Sequence, residues 1–291
     1  MFLRWMGFAV AIACAAGLRA DEVADAPIVL VDSAGKEHKL ANVKLTTGTR
    51  RLAFLAEPKG TTEDAKKGAL ALEIREPNST TFQKGVVTLI PVSCVESVKY
   101  DYEKLSLTVA VKGQDPVPGT LLFRGINVIS LEAKDGDAAT KFIGGSTKDG
   151  FKSIAWPNAQ PLPSRAVGTA WSVQIVQPAA KDPTLAVRNL KALYAFPNGA
   201  EQLADALPVR KGETLTLDTK VKKLEIIAVD PNTQMAAMEL TVEGSPERLI
   251  AVPLTQDFGN RTGTLTGFLG EVDAGWKFFP LHAIKVLKPA G

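Results

Sequence analysis

Short apolar runs, alternating with polar residues at every second position, recur along almost the whole chain. Between Ala69 and Arg75, Leu70, Leu72 and Ile74 fall on one side and Glu73 and Arg75 on the other. A period of two marks a strand with one buried face. Runs of similar kind at 27–31, 43–45, 52–55, 86–90, 95–102, 105–111 and 120–131 predict a series of strands separated by Gly and Pro. A second series follows at 171–176, 214–217, 221–229, 235–242, 249–253 and 264–269, and the chain closes with an apolar segment from Trp276.

Two stretches suggest short helices. Residues 61–67 offer a turn or two behind a threonine cap, and 200–207 carry helix formers up to Pro208. Residues 134–168 are rich in Gly, Pro, Ser and Asp and hold no sustained period, which predicts a linker or a long surface loop. The pattern therefore predicts a mostly β protein: two β-sandwich or barrel-like domains, 21–133 and 169–291, with one or two short helices.

The two halves share an echo. Leu89-Ile-Pro-Val-Ser-Cys-Val and Phe278-Phe-Pro-Leu-His-Ala-Ile both place a proline between an incoming apolar run and the next one. Proline has no N–H to give to a ladder, so each predicts a strand, a kink and a second strand. Gly119-Thr-Leu and Gly263-Thr-Leu form a fainter second echo, in a different order.

The first 20 residues follow another pattern. Arg4, an uncharged apolar run from Trp5 to Gly17, small residues and an acidic start at Asp21 have the order of a secretory signal peptide cleaved after Ala20. Ala11-Ile12-Ala13-Cys14 raises lipid anchoring at Cys14 as an alternative. No second apolar run approaches the ~20 residues of a membrane span, so the mature chain is expected to be secreted or periplasmic without a transmembrane segment. The whole chain has 34 basic and 31 acidic residues. The leader takes Arg4 and Arg19 with it and no acid, leaving a nearly neutral protein. No basic run interleaved with aromatics remains, which argues against nucleic-acid binding. Cys94 is then the single cysteine, in an apolar stretch that predicts a buried thiol.

Candidate chemistry is sparse. His38 and His282 are the two histidines, in different halves, and no Cys pair completes a metal set, so no metal or cofactor is implied. Gly144-Gly145-Ser146-Thr147-Lys148 fails the nucleophile-elbow pattern at its last position. No phosphate-cradling loop or zinc-protease helix is found. Asp101 and Glu103 share a strand face, but Lys99 and Lys104 beside them predict a solvated charged face. Asp135-Gly136-Asp137 has too few ligands for calcium. Asn78-Ser-Thr and Asn260-Arg-Thr match the glycosylation sequon.

The aromatic residues carry the one binding idea: Trp156 in a Pro-bounded loop, and Tyr100 with Tyr102 on one strand face, as rings for stacking on a sugar or peptide. With no catalytic residues to name, the expectation is an exported, non-catalytic protein that binds a protein partner or a cell-surface polysaccharide. A secreted carboxylate-based glycan hydrolase and a structural subunit of an envelope assembly are the alternatives.

Overall fold

The computed structural model describes residues 22–24, 28–52, 54, 68–75, 85–121, 127–135, 138–144, 150–163, 167–176, 183–209, 214–218 and 220–290. The leader, Cys14 and the helix expected at 61–67 lie outside them. Among the described residues the fold is all β, with no helix beyond single 3-10 turns.

One sheet has nine strands. These are β1 (Glu22–Ala24), β2 (Ile28–Asp32), β3 (Glu37–Thr47), β7 (Val95–Asp101), β8 (Ser106–Val111), β9 (Val117–Thr120), β10 (Ser130–Asp135), β11 (Ala138–Ile143) and β12 (Phe151–Ala155). Their order is β11-β10-β3-β2-β12-β7-β8-β9, with β1 also on β3.

The other large sheet has thirteen. From the first half come β4 (Thr49–Leu52), β5 (Ala69–Arg75) and β6 (Val87–Pro91). From the second come β13 (Ala170–Ile175), β14 (Thr184–Ala195), β15 (Glu201–Ala204), β18 (Val221–Asp230), β19 (Met235–Val242), β20 (Arg248–Pro253), β21 (Thr255–Phe258), β22 (Arg261–Val272), β23 (Gly275–Pro280) and β24 (Ile284–Pro289). The order is β20-β19-β18-β24-β13-β14-β22-β23-β6-β5-β4. A small pair, β16 (Ala206–Pro208) and β17 (Thr214–Thr216), stands apart. Both large sheets are open rather than closed barrels.

The alternation that predicted β5 holds. Leu70, Leu72 and Ile74 enter one buried cluster with Ile28, Leu40, Val98, Leu107 and Phe151. A second cluster, around Trp171, Tyr194, Leu224, Met238, Phe268 and Phe279, fills the other half. A third, smaller one lies at the junction: Leu52, Ala71, Val87, Leu89, Leu269 and Trp276.

The echo corresponds to a repeated path. In each half a strand ends at a buried proline, Pro91 or Pro280, and a 3-10 turn follows, Val92–Cys94 or Leu281–Ala283. The turn closes with Val95 N–H donating to Val92 O, or Ile284 N–H to Leu281 O, before β7 or β24 begins. Cys94 and Ala283 occupy equivalent buried positions. The second half runs β24-β13-β14-β22-β23 across its sheet. The first repeats this as β7, β2, β3/β4, β5 and β6, with β12 inserted between β7 and β2. The third of these strands is broken at Gly48 into β3 and β4, which belong to different sheets. Gly48 has φ of 76°, and a Cβ there would lie 2.5 Å from Val128 O, so only glycine fits the break.

Two expectations need correction. Residues 200–207 are not helical. Asn198-Gly199 makes a turn, with Gly199 at φ 80° and Ala200 N–H donating to Asn198 Oδ1, and returns the chain as β15 against β14. An Asn-Gly turn and a waiting strand override helix propensity. Residues 134–168 are not a structureless linker either. They contain β11 and β12, and β12 sits inside the first sheet between β2 and β7, with Phe151 and Ile154 fully buried. A register shift between Phe151 and Ser153 breaks the period of two that would have revealed this strand.

Candidate functional site

The aromatic residues singled out from the sequence are packing residues. Trp156 is 8% exposed and Tyr100 7%, both within the first core, and Tyr102 is half-buried against it. The two tyrosine rings stack at 6.0 Å, and Phe151 meets Tyr100 edge-on at 5.3 Å. Tyr102 O–H donates to Phe151 O at 2.6 Å. Trp156 and Tyr100 are thus buried away from any sugar, and Tyr102 is half-buried with Tyr100 stacked on it. The Asp101 carboxylate closes a turn, accepting from Lys104 N–H at 2.9 Å and pairing with Lys104 Nζ at 3.0 Å. Among the described residues no group of three or more His, Cys, Asp or Glu side chains is placed to hold a metal ion.

Tyr100 nevertheless leads to a site. Its hydroxyl donates to Asn127 O at 3.1 Å and accepts from Ile129 N–H at 3.3 Å. Burial raises its pKa well above the usual phenol range, so it stays a neutral donor. A Cβ on Gly144 would fall 2.5 Å from this oxygen, so a glycine leaves room for it. The hydroxyl thus props the segment at Asn127, which sits in the left-handed region at φ 53°.

Asn127 then clasps β5. Its Oδ1 accepts from Arg75 N–H at 2.7 Å, and its Nδ2 donates to Arg75 O at 3.1 Å and Thr120 O at 2.9 Å. This buried amide replaces ladder bonds at the end of β5. On the other side Glu73 N–H donates to Gly48 O at 2.9 Å. Thr47 Oγ1 lies 2.6 Å from Ser130 Oγ and receives Ser130 N–H at 3.0 Å.

Between these clasps opens a recess of ≈ 250 Å³ lined by Thr47, Gly48, Glu73, Arg75, Asn127 and Val128. The side-chain amide of Asn127 and the hydroxyl of Thr47 are engaged in holding the walls. The groups left to meet a ligand are the Glu73 carboxylate and the Arg75 guanidinium. Two positions apart on β5, they point to the same side, about 7 Å apart along the strand. Among the described residues the Arg75 guanidinium forms no ion pair.

A second set of charges borders the recess. Arg50 of β4 has Nη1 3.8 Å from Glu73 Oε1, forms an ion pair with Glu201 of β15, and lays its guanidinium 5.3 Å from the Phe278 ring centre. Its side chain is 23% exposed and that of Glu201 10%, and Glu201 Oε2 has no hydrogen-bond partner among the described residues. Arg50 therefore ties the recess to the second half of the chain.

Sequence reasoning passed over Arg75, Glu73 and Asn127. It read the first two as the solvent side of a strand. Their facing wall comes from Gly48 and from Asn127 and Val128, far along the chain, and no local pattern joins these segments. No protein-family model matches the chain, and no curated protein matches its sequence.

Proposed function

We propose that this chain is an exported, non-catalytic β protein that binds a cell-surface polymer, gripping it at the recess beside Glu73 and Arg75. The observation that carries the reading is the Arg75 guanidinium. It stands without an ion-pair partner among the described residues, on a strand held at Arg75 by the Asn127 clasp on one edge and by pairing with β6 on the other. A donor fork held on rigid strands is suited to recognition, because little freedom is lost when a ligand arrives. The nearby carboxylates speak against the hydrolase alternative. Glu73 is the single carboxylate lining the recess, and Glu201 beyond it is held by Arg50, so a pair of free acids for glycoside hydrolysis is missing there among the described residues.

The test is retention of the protein, expressed from the full chain, on a panel of insoluble polysaccharides and isolated cell-wall material. Wild type is compared with Arg75→Ala and with Trp156→Ala. Asn127 holds the backbone of Arg75 and not its side chain, so Arg75→Ala keeps the clasp. The expected result is retention on at least one polymer, weakened at least tenfold by Arg75→Ala. Failure of wild type to be retained on any surface overturns the reading, as does retention that ignores Arg75→Ala.

A further inference from the structure

We infer that the recess takes one uronic-acid unit of such a polymer, its carboxylate on Arg75 and a ring hydroxyl on Glu73; this rests on the polymer-binding reading above. Size comes first. At ≈ 250 Å³ the recess falls below the ~300–1,000 Å³ of pockets that enclose drug-sized ligands. It accommodates a single small unit, with the rest of a chain passing across its mouth.

The unmet chemistry narrows the class. Asn127 has spent its amide on Arg75 and Thr120, and Thr47 has spent its hydroxyl on Ser130. What remains is a guanidinium, which only donates, and a carboxylate, which accepts from a donor. A ligand that satisfies both presents an acceptor fork at one end and a hydrogen donor at the other, about one sugar ring apart. Arginine pairs best with a planar carboxylate, through two parallel N–H bonds. Neutral hexoses offer it hydroxyls alone.

The charge of Glu73 sharpens the choice. A phosphate dianion on Arg75 would bring two negative charges toward this carboxylate where a uronate brings one, so like-charge repulsion opposes it more strongly. A ligand ammonium is not required at the other end, because Arg50 Nη1 already stands 3.8 Å from Glu73 Oε1. A neutral hydroxyl donor suffices. Val128 is the single aliphatic side chain in the lining, so the recess selects by polar contacts and not by stacking.

The experiment is a titration of the full-chain protein, followed by the NMR signals of arginine side-chain N–H groups and by calorimetry. The probes are galacturonate and glucuronate trimers, the matching neutral trimers, acetate and inorganic phosphate. Proteins are wild type, Arg75→Ala, Arg75→Lys and Glu73→Gln, each checked by its melting curve. The expected result is that a uronate trimer binds at least tenfold more tightly than its neutral counterpart and shifts the Arg75 signal. Arg75→Ala abolishes that preference, and Arg75→Lys restores only part of it because the fork is lost. Neutral trimers that bind as well as uronates, with sensitivity to Arg75→Ala, overturn the uronate assignment and leave polymer binding standing. Acetate or phosphate binding as tightly as the trimers reduces the recess to an anion site and also overturns it. Retention on no polymer in the preceding test, together with silence to every trimer, removes both readings.

Discussion

Leu89 of β6 and Trp276 of β23 sit opposite one another in a single antiparallel ladder, although 187 positions separate them in the chain. Through this pairing, with Thr88 on Lys277 and Val87 on Phe278, three strands of the first half join the sheet of the second. Val87, Leu89 and Trp276 are buried in the same small cluster. The two halves are thus fused by a shared sheet rather than tethered by a linker.

Fusion of this kind predicts cooperative unfolding. Calorimetry of the full chain should give one transition with equal calorimetric and van't Hoff enthalpies. A fragment ending at residue 168 would expose β6 as an apolar edge and should associate in light scattering. Two resolved transitions in the full chain would refute the shared-sheet account.

Arg50 provides a second link between the halves. Arg50→Ala strands the Glu201 carboxylate, which is 10% exposed and already has one unpartnered oxygen. Breaking a buried pair from one side costs about 3–5 kcal/mol, and the partial exposure of Arg50 points to the lower end. The double change Arg50→Met with Glu201→Leu should recover most of that loss, since apolar replacements leave no charge behind. Urea denaturation of the three proteins checks this; equal losses in the single and double variants would count against the pair.

Tyr100→Phe tests the prop beneath the recess. It leaves Asn127 O and Ile129 N–H without their partner in a buried position, at a cost of about 1–3 kcal/mol. Because Asn127 positions Arg75, polymer retention should also fall under conditions where the variant is fully folded. Reduced stability with unchanged retention would make Tyr100 a core residue and nothing more.

Acid should weaken the fold through named carboxylates. Asp32 is held below its ordinary range first by the hydrogen bond from His38 Nε2–H, at 3.0 Å, and then by Lys36 N–H. The backbone N–H of Lys104 does the same for Asp101, that of Asn232 for Asp230, and the Lys223 side chain for Glu247. A carboxyl with a lowered folded pKa binds fewer protons in the native state than in the unfolded one. Its stabilisation is complete above the unfolded value, near 4, and is lost as pH falls through the lowered one. Melting temperature should therefore be flat from about pH 7 to 5 and drop below about pH 4. Asp32→Asn should make that drop shallower, which a pH series of melting curves will read.

Local chemistry was enough to establish the β class. The alternation at Ala69–Arg75 and the two proline-bearing segments name strands and kinks because side-chain direction and a missing N–H are properties of neighbours in sequence. The same local logic placed Tyr100, in β7, and Tyr102, in the turn just after it, on one side and Cys94 in the interior. It failed where distant segments decide. The strand at Glu201–Ala204 exists because β14 lies ready to pair with it, and β12 because β2 and β7 leave a gap in the first sheet. The recess itself was beyond reach. Its floor needs the left-handed break at Gly48, its clasp reaches from Asn127 to Arg75, and the pair of Arg50 with Glu201 that borders it comes from two other strands. Hydrophobic period is written residue by residue, whereas the position of a polar group against its partner is determined only once the sheets have closed around it.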